Sequence, residues 1–294
     1  MHHYMAQYGT SYYVANRFFP ETIKQQVFLL YAFVRIPDDI VDEPGVNPVK
    51  ARNDLDELWS YFLWIYEWVE VPVTSNVAWN DIARDAAALF HRRDIPLERV
   101  RAFFDAMYAD LDKKIYYTYE ELQQYMHGSA EVVGLMMCKI IGYEKEQEAE
   151  VFRTAKLLGE AMQYTNFLRD IAEDSRDFDR LYMPEDRLLQ HGLNHMLLTQ
   201  YLWGKAIDDQ RIRFMSQQVL TTKELYREAS QGIALLDSGW RKAVRVASWM
   251  YESILDKIIK NEYDVFSKDA HTTKLEKMLT LFVKSIAHAI WKIT

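Results

Sequence analysis

The chain has 294 residues, of which 49% are hydrophobic and 14% aromatic, so it can bury a sizeable core. Its formal net charge of −8 argues against general nucleic-acid binding, which needs a basic surface. A single cysteine, Cys138, excludes an internal disulfide and any cysteine-based zinc site. No stretch resembles a signal peptide, and no apolar run reaches the ~18 residues of a membrane-spanning helix, so we expect a cytoplasmic protein.

Apolar residues recur at spacings of three and four along most of the chain, whereas glycine, proline and alternating β patterns are scarce. The sequence therefore predicts an all-α protein of roughly ten or more helices. Breaks between helices are expected at Pro20, 43–48, 71–76, Pro96, 142–148, 176–186 and 238–240. All these breaks are short, so we predict one domain over residues 1–294.

The first chemically unusual segment is "RIPDDIVDE" (35–43), which follows the apolar run "VFLLYAFV". Asp38 and Asp42 are four residues apart and share one helix face. Arg35 and Tyr31 extend this polar stripe towards the start of the helix. Pro37 is expected to bend the helix locally, because it cannot donate a backbone hydrogen bond. Acids this close repel one another, so the segment requires a compensating positive charge.

The second such segment is "QYTNFLRDIAEDSRD" (163–177), which repeats the same spacing. Asp170 and Asp174 are four residues apart, Asn166 lies four residues before Asp170, and Gln163 lies three before Asn166. The four side chains form a second stripe of oxygen ligands, and Arg169 flanks it as Arg35 flanks the first.

Hard cations such as Mg²⁺ prefer oxygen ligands and commonly complete their shell with water and substrate phosphate. Two opposed acidic stripes would hold several such ions, and the ions would hold a diphosphate whose remaining charge suits Arg35 and Arg169. One acidic pair on a helix is usually solvated surface. Two pairs inside apolar segments, each with arginine and polar partners, favour a paired metal–diphosphate site.

The last segment, "KLEKMLTLFVKSIAHAIWKIT" (274–294), places its apolar residues on one stripe with lysines mostly off it. This pattern predicts a final helix packed on the core. Peripheral contact with a membrane surface is the alternative interpretation.

Four motifs resemble those of the squalene/phytoene synthase family, the head-to-head prenyltransferases. They are "TSYYVANRFFP" (10–20), "LYAFVRIPDDIVDE" (30–43), "QYTNFLRDIAEDSRDFDRLYMPED" (163–186) and "NEYDVFSKDA" (261–270). The segment "YMHGSAEVVGLMM" (125–137) is similar to the part of the family that lines its central cavity. The resemblance implies a single-domain, all-α isoprenoid-synthase bundle around a deep cavity, with two aspartate-rich motifs facing each other across its mouth. It is strongest to prokaryotic phytoene and dehydrosqualene synthases.

The resemblance also implies roles for individual residues. The implied magnesium set is Asp38, Asp42, Asn166, Asp170 and Asp174, the aspartates being counted as catalytic. The implied substrate-binding set is Ser11, Tyr31, Arg35, Gln163, Arg169 and Lys268. Tyr125 and Tyr251 match tyrosines close to the reacting centre. The departures from the family pattern are Thr10 in place of a frequent lysine, His127 in place of a frequent tyrosine, and Lys268 in place of a common arginine.

The implied reaction is a Mg²⁺-dependent condensation of two allylic prenyl diphosphates through a cyclopropyl diphosphate, with Mn²⁺ as an alternative ion. The segment "GSAEVVGLMM" resembles prokaryotic phytoene synthases most, which favours two geranylgeranyl diphosphates as substrates and phytoene as the product. Two farnesyl diphosphates giving dehydrosqualene or squalene remain the alternative, and squalene formation would also require NADPH.

Three other classes of protein fit the sequence less well. A head-to-tail synthase or terpene cyclase would carry acidic motifs that "NFLRDIAED" does not fit. A di-iron bundle would carry paired E-x-x-H motifs, which are absent from the sequence. A binding protein that kept the fold but lost its chemistry would show eroded aspartates, whereas both pairs are intact here.

Overall fold

The computed structural model describes residues 21–42, 45, 47–68, 77–204, 208–268 and 270–272. Within these ranges it contains eleven α-helices. They are α1 (Glu21–Val41), α2 (Pro48–Trp68), α3 (Val77–Arg92), α4 (Leu97–Asp112), α5 (Tyr119–Met126), α6 (Val132–Ile141), α7 (Glu148–Asp177), α8 (Glu185–Leu189), α9 (His195–Leu202), α10 (Asp209–Ala229) and α11 (Ser238–Lys260). A π-helical turn (His127–Glu131) joins α5 to α6, and short 3₁₀ turns cover Lys145–Gln147 and Gly232–Leu235.

The described residues form no β-strand, and isolated bridges pair Ile115 with Leu181 and Tyr143 with Leu236. The all-α prediction is therefore confirmed. The predicted breaks near Pro96, at 142–148 and at 176–186 correspond to segments between helices. The break predicted at 238–240 is misplaced, because α11 begins at Ser238 and the break precedes it, and the breaks at 113–118 and 190–194 were not predicted. α1 continues through Pro37 to Val41. No helix among the described residues has the length and apolar character to cross a membrane.

Some predictions concern residues outside the described ranges. These are the phosphate contact at Ser11, the departure at Thr10, and the final helix of 274–294 with its alternative membrane contact. The domain limits 1–294 also stay a prediction.

Aromatic side chains fix the helices of the N-terminal half around α1. Phe33 of α1 is 1% exposed, and its ring centroid lies 4.9 Å from that of Phe62 on α2. The same ring lies 5.3 Å from Phe90 on α3 and 6.2 Å from Phe104 on α4. Aromatic pairs at such distances favour tilted and edge-on contacts, as found here. Burying this face of α1 turns its polar stripe away from the aromatic cluster.

The 30-residue helix α7 is the central element of the remaining structure. It packs against α6, α10, α11 and the π-helical turn. A Cβ atom added to Gly159 would lie 2.9 Å from the backbone oxygen of Ala130, so glycine permits the close approach of α7 to the π-helical turn. Thr165 Oγ1 and Tyr226 Oη lie 3.0 Å apart and form a buried hydrogen bond between α7 and α10.

Candidate active site

The first polar stripe lies along the last two turns of α1. Arg35 Nη1 lies 2.5 Å from Asp38 Oδ2, and Arg35 Nη2 lies 2.6 Å from Asp39 Oδ1. The guanidinium of Arg35 is therefore shared between two carboxylates of its own helix, and part of the positive charge that the sequence required comes from within the stripe.

The second stripe lies on the C-terminal half of α7. Arg169 donates two hydrogen bonds to Asp170, from Nε to Oδ1 at 2.6 Å and from Nη2 to Oδ2 at 2.5 Å. Asn166 Nδ2 donates to Gln163 Oε1 at 3.5 Å. The Asn166 Oδ1 atom is buried, and the described residues offer it no hydrogen-bond partner. Such an orphaned oxygen is an available ligand for a cation.

Arg180 ties the two stripes together. Its backbone N–H donates to the carbonyl oxygen of Asp174 at 3.0 Å, which holds the segment after α7 against the end of that helix. Its guanidinium donates to Asp42 Oδ1 at 2.6 Å and to the carbonyl oxygen of Val41 at 2.9 Å. The C-terminal ends of α1 and α7, each with its acidic pair, are thereby joined through one buried arginine.

The carboxylates influence one another across the two helices. Burial, followed by the charge of Asp42, raises the pKa of Asp38 to about 7. Burial, then the charge of Asp170 and then that of Asp42, raises the pKa of Asp174 to about 8. The effect of Asp42 on Asp174 crosses from α1 to α7. The acids form one cluster, and a cation bound within it would stabilise their ionised form.

Tyr251 of α11 lies within electrostatic range of both stripes. Burial raises the pKa of its hydroxyl, with smaller effects from the charges of Arg169, Asp170, Asp38 and Arg35. Both acidic motifs and both flanking arginines therefore act on this one hydroxyl. Tyr31 of the first stripe has its pKa raised by burial too, and Tyr251 is among the groups that act on it.

An elongated cavity of ≈ 210 Å³ opens beside this cluster, enclosed by α6, α7, α11 and a 3₁₀ turn. Gln163, Asn166 and Tyr251 form polar parts of its wall, and Val133 and Met137 belong to its largely apolar lining. Along α7 the lining runs from Val151 to Asn166, which is roughly 22 Å at 1.5 Å per residue. The cavity thus combines a polar end with a long apolar interior. The prediction that the 125–137 segment contributes to its wall is confirmed.

Tyr125, Tyr182 and Phe167 form a buried aromatic cluster around Asp110. Asp110, near the end of α4, accepts hydrogen bonds of 2.8 Å from the hydroxyls of both Tyr125 and Tyr182. The Tyr182 ring stacks on Phe167 of α7 at 4.3 Å. Tyr125 lines a separate surface pocket that it shares with His127. The His127 Nδ1 atom lies 2.9 Å from Glu131 Oε2 within the π-helical turn.

In the segment after α11, His271 lies near Asp170 of the second stripe, whereas Lys268, the predicted phosphate contact, pairs with Glu262. Lys268 Nζ donates to the carbonyl of Asn261 at 3.3 Å and to Glu262 Oε2 at 3.4 Å. His271 Nε2 lies 3.8 Å from Asp170 Oδ1. Among the described residues, Asp170, Glu173 and His271 form a group whose ligand atoms lie within 4.8 Å of one another. The predicted metal set contained Asp170 from this group but neither Glu173 nor His271.

The residues present fit a hard divalent cation. The two stripes supply carboxylate and amide oxygens, including the orphaned Asn166 oxygen. Magnesium and manganese prefer oxygen donors of this kind, whereas the imidazole of His271 better suits softer transition metals.

Comparison with known proteins identifies the family. Residues 5–276 match the family model described as squalene/phytoene synthase. The chain belongs to the squalene/phytoene synthase family. The predicted family, and with it the class of prenyltransferase enzymes, is therefore confirmed.

Relatives of this squalene/phytoene synthase family member include plant proteins. The chain is 30% identical over 279 residues to the chloroplastic phytoene synthase 2 of Oryza sativa subsp. japonica, covering 94% of this chain and 67% of the relative. It is also 30% identical to the chloroplastic phytoene synthase 2 of Solanum lycopersicum, covering 94% of this chain and 86% of that one.

Solved structures of related synthases share the fold. A dehydrosqualene synthase in complex with ligand superposes with a TM-score of 0.82 at 25% identity, covering 97% of this chain and 94% of that one. A squalene synthase from Alicyclobacillus acidocaldarius superposes with a TM-score of 0.74 at 22% identity, covering 88% and 91% of the two chains. The predicted isoprenoid-synthase bundle is confirmed by these likenesses.

Besides Glu173 and His271, the site contains Arg180, Asp110 and Tyr182, to which the sequence patterns gave no role. Arg180 and Tyr182 lie in "RDFDRLYMPED", which was predicted as a break between helices and belongs to a motif that resembles the family, but neither residue was singled out. Asp110 carried a usable signal, because it shares the buried face of α4 with Phe103 and Met107. An acid on an apolar helix face indicates a buried partner.

Proposed function

We propose that this protein catalyses the divalent-metal-dependent, head-to-head condensation of two allylic prenyl diphosphates. The observation that carries the proposal is the pair of acidic stripes, on α1 and α7, joined by Arg180 beside an elongated apolar cavity. Two geranylgeranyl diphosphates and the product phytoene are the preferred substrate and product, supported by the two plant relatives at 30% identity.

We propose that Asp38, Asp42, Asn166, Asp170 and Asp174 hold Mg²⁺, with Mn²⁺ as a substitute. The ions supply charge neutralisation for the leaving diphosphate. Arg35 and Arg169, which pair with carboxylates of their own helices, are placed to transfer hydrogen bonds to diphosphate oxygens when the ions neutralise those carboxylates. Tyr31 and Gln163 complete the polar wall. Ser11 and Lys268 remain proposed phosphate contacts by resemblance alone.

Ionisation of the first diphosphate generates an allylic cation, which the double bond of the second molecule attacks. Loss of one proton from the resulting cation closes the three-membered ring and gives a cyclopropyl diphosphate. A second ionisation, rearrangement and loss of a second proton give the hydrocarbon, so two pyrophosphates and two protons leave for each product. The apolar walls exclude water from these cations. The ring of Tyr251 at the junction of the polar cluster and the cavity is placed to stabilise positive charge, and Tyr125 is a further proposed contact by resemblance.

A second candidate function is the same condensation with a shorter prenyl substrate. Two farnesyl diphosphates would give dehydrosqualene, an alternative supported by the TM-score of 0.82 to a dehydrosqualene synthase. Squalene would additionally require NADPH. A non-catalytic binding protein is disfavoured because both acidic pairs and their arginines are present together.

The test supplies geranylgeranyl and farnesyl diphosphates, separately and mixed, with Mg²⁺, with Mn²⁺ or with EDTA. Hydrocarbons are identified by mass spectrometry and pyrophosphate is counted in parallel. The proposal predicts phytoene from the C20 substrate and two pyrophosphates per hydrocarbon, with no product in EDTA. Dehydrosqualene as the main product would support the second candidate. Pyrophosphate release without hydrocarbon would reject both.

A further inference from the structure

The carboxylate of Asp110 is buried, yet the proposed reaction gives it no role. Its residue is 3% exposed, and each oxygen accepts a tyrosine hydroxyl at 2.8 Å, Oδ2 from Tyr125 and Oδ1 from Tyr182. Burying a carboxylate is costly unless hydrogen bonds compensate it. Burial raises the pKa of both tyrosine hydroxyls well above the ordinary value, with the charge of Asp110 as a further cause for each, so both stay protonated donors.

One of these tyrosines connects Asp110 to the acidic cluster. The Tyr182 hydroxyl lies 3.5 Å from Nη1 of Arg180, and the same nitrogen donates to Asp42 at 2.6 Å. A continuous series of hydrogen bonds therefore runs from the buried Asp110 through Tyr182 and Arg180 to Asp42, whose side chain is 38% exposed. It begins on α4 and ends at the acidic stripe of α1.

The same series of hydrogen bonds is fixed against the second stripe. The Tyr182 ring stacks on Phe167 with an interplanar angle of 15°, and Phe167 directly follows Asn166 in α7. Tyr125 also contacts this cluster, with its ring centroid 5.4 Å from that of Tyr182. Movement of the Tyr182 ring would therefore disturb both polar stripes.

We propose that Asp110 is a positioning residue for the metal–diphosphate site, acting through Tyr182 and Arg180 on Asp42. The proposal rests on the metal site of the proposed function and adds to it a residue that does not itself bind metal. Asp110 orients the Tyr182 hydroxyl. The carboxylates of Asp110 and Asp42 both attract the guanidinium of Arg180. Without Asp110, Arg180 pairs more strongly with Asp42, and that carboxylate becomes less available to a cation.

Direct metal ligation by Asp110 is the rival explanation. The charge of Asp110 acts on Asp38, so the carboxylate is within electrostatic range of the first stripe. Both of its oxygens, however, already accept tyrosine hydroxyls. The two explanations differ in the number of ions bound when Asp110 is changed.

The test measures Mn²⁺ binding by calorimetry in the presence of inorganic pyrophosphate, so no turnover is required. Asp110→Asn keeps the size of the side chain but removes its charge and one acceptor. Partners of metal ligands typically contribute ~10–100-fold to metal affinity, so we expect the Mn²⁺ dissociation constant to rise at least about tenfold with the number of ions unchanged. Asp112→Asn is the matched control, because Asp112 lies on the same helix with 65% of its side chain exposed. Its Mn²⁺ binding should equal that of the wild type.

Tyr182→Phe removes a single hydroxyl and provides a second route if Asp110→Asn does not fold. We expect it to weaken Mn²⁺ binding in the same direction, and the double variant to be no worse than the poorer single variant, because both act through one series of hydrogen bonds. Loss of a bound ion in Asp110→Asn would assign Asp110 as a ligand and overturn the proposal. Unchanged Mn²⁺ affinity in either variant, despite lower thermal stability, would show that the hydrogen bonds from Asp110 to Asp42 stabilise the fold only. These readings hold even if neither prenyl diphosphate is turned over.

Discussion

The guanidinium of Arg180 donates a hydrogen bond of 2.6 Å to Asp42, although the two residues are 138 positions apart in the chain. The backbone of the same arginine binds the carbonyl of Asp174. Arg180 therefore links the first acidic motif to the second, and it adds a buried positive charge to those that Arg35 and Arg169 bring to the same cluster.

Replacing Arg180 with lysine should lower turnover by at least about tenfold, because an ammonium lacks the planar fork whose two nitrogens separately contact Asp42 and the carbonyl of Val41. Steady-state kinetics with circular dichroism check this. Arg227→Lys is the control, since Arg227 forms an exposed pair with Glu224 on α10. Equal activity of the Arg180→Lys variant and the wild type would show that the link between the motifs is dispensable.

Asp38→Ala and Asp170→Ala should each abolish turnover while preserving helicity, because each removes a proposed metal ligand from one of the two acidic stripes. Product analysis and circular dichroism measure the two effects. Asp54→Ala is a matched control: Asp54 pairs with Lys50 one turn earlier on the surface of α2. Product formation by either active-site variant would remove that residue from the metal site.

The metal-free protein should lose stability as the pH rises from 6 to 8.5. The pKa is about 7 for Asp38 and about 8 for Asp174, above the ordinary value of 3.8. Because the unfolded chain releases these protons more readily, the stabilisation is complete below about pH 4 and is lost as the pH passes through the folded-state values. Thermal unfolding in EDTA measures the trend.

The same two carboxyls link metal binding to pH. Each must lose its proton to bind a cation, so Mn²⁺ affinity should rise by up to about tenfold per pH unit below these values. Calorimetry in two buffers of different ionisation enthalpy detects the released protons. Asp38→Asn should flatten the pH dependence of stability in EDTA. If wild-type stability in EDTA is constant from pH 6 to 8.5, the raised pKa values are contradicted.

The cavity wall predicts a change in substrate preference. Ala247 of α11 contributes to this wall, so Ala247→Phe should place a ring in the cavity. We expect kcat/KM to fall about tenfold more for the C20 than for the C15 diphosphate, since apolar pockets discriminate by roughly 10–200-fold per size step. Leu220→Phe, at an exposed position of α10, is the control. An equal loss of kcat/KM for both substrates would show that the wall at Ala247 does not select the length of the prenyl chain.

The π-helical turn supplies a stability prediction. A Cβ atom at Gly128 would lie 2.3 Å from the backbone oxygen of Ala102 on α4. Gly128→Ala should therefore destabilise the fold by about 1–3 kcal/mol through overpacking. Gly239→Ala, with no neighbouring atom within 4 Å of the added Cβ, is the matched control and should be close to neutral. Denaturant unfolding compares the two variants, and equal stabilities would contradict the close packing of α4 on this turn.

The predictable part of the molecule was the part encoded by local spacing. Helix positions followed the three- and four-residue apolar pattern, and the pairs Asp38/Asp42 and Asp170/Asp174 were visible because one helical turn repeats in the sequence. The contact from Arg180 to Asp42 was not predictable in this way, because it joins a turn to a distant helix and depends on the tertiary fold. His271 reaches Asp170 for the same reason, whereas Lys268 pairs with Glu262.

The most direct test of the metal–diphosphate site is the anomalous diffraction signal of Mn²⁺ in crystals grown with Mn²⁺ and inorganic pyrophosphate. We predict Mn²⁺ peaks between the carboxylates of Asp38 and Asp42 on one side and the oxygens of Asn166, Asp170 and Asp174 on the other. The pyrophosphate should then contact Arg35 or Arg169. Peaks confined to Asp170, Glu173 and His271, or no peak between the two helices, would contradict a metal site shared by the two motifs.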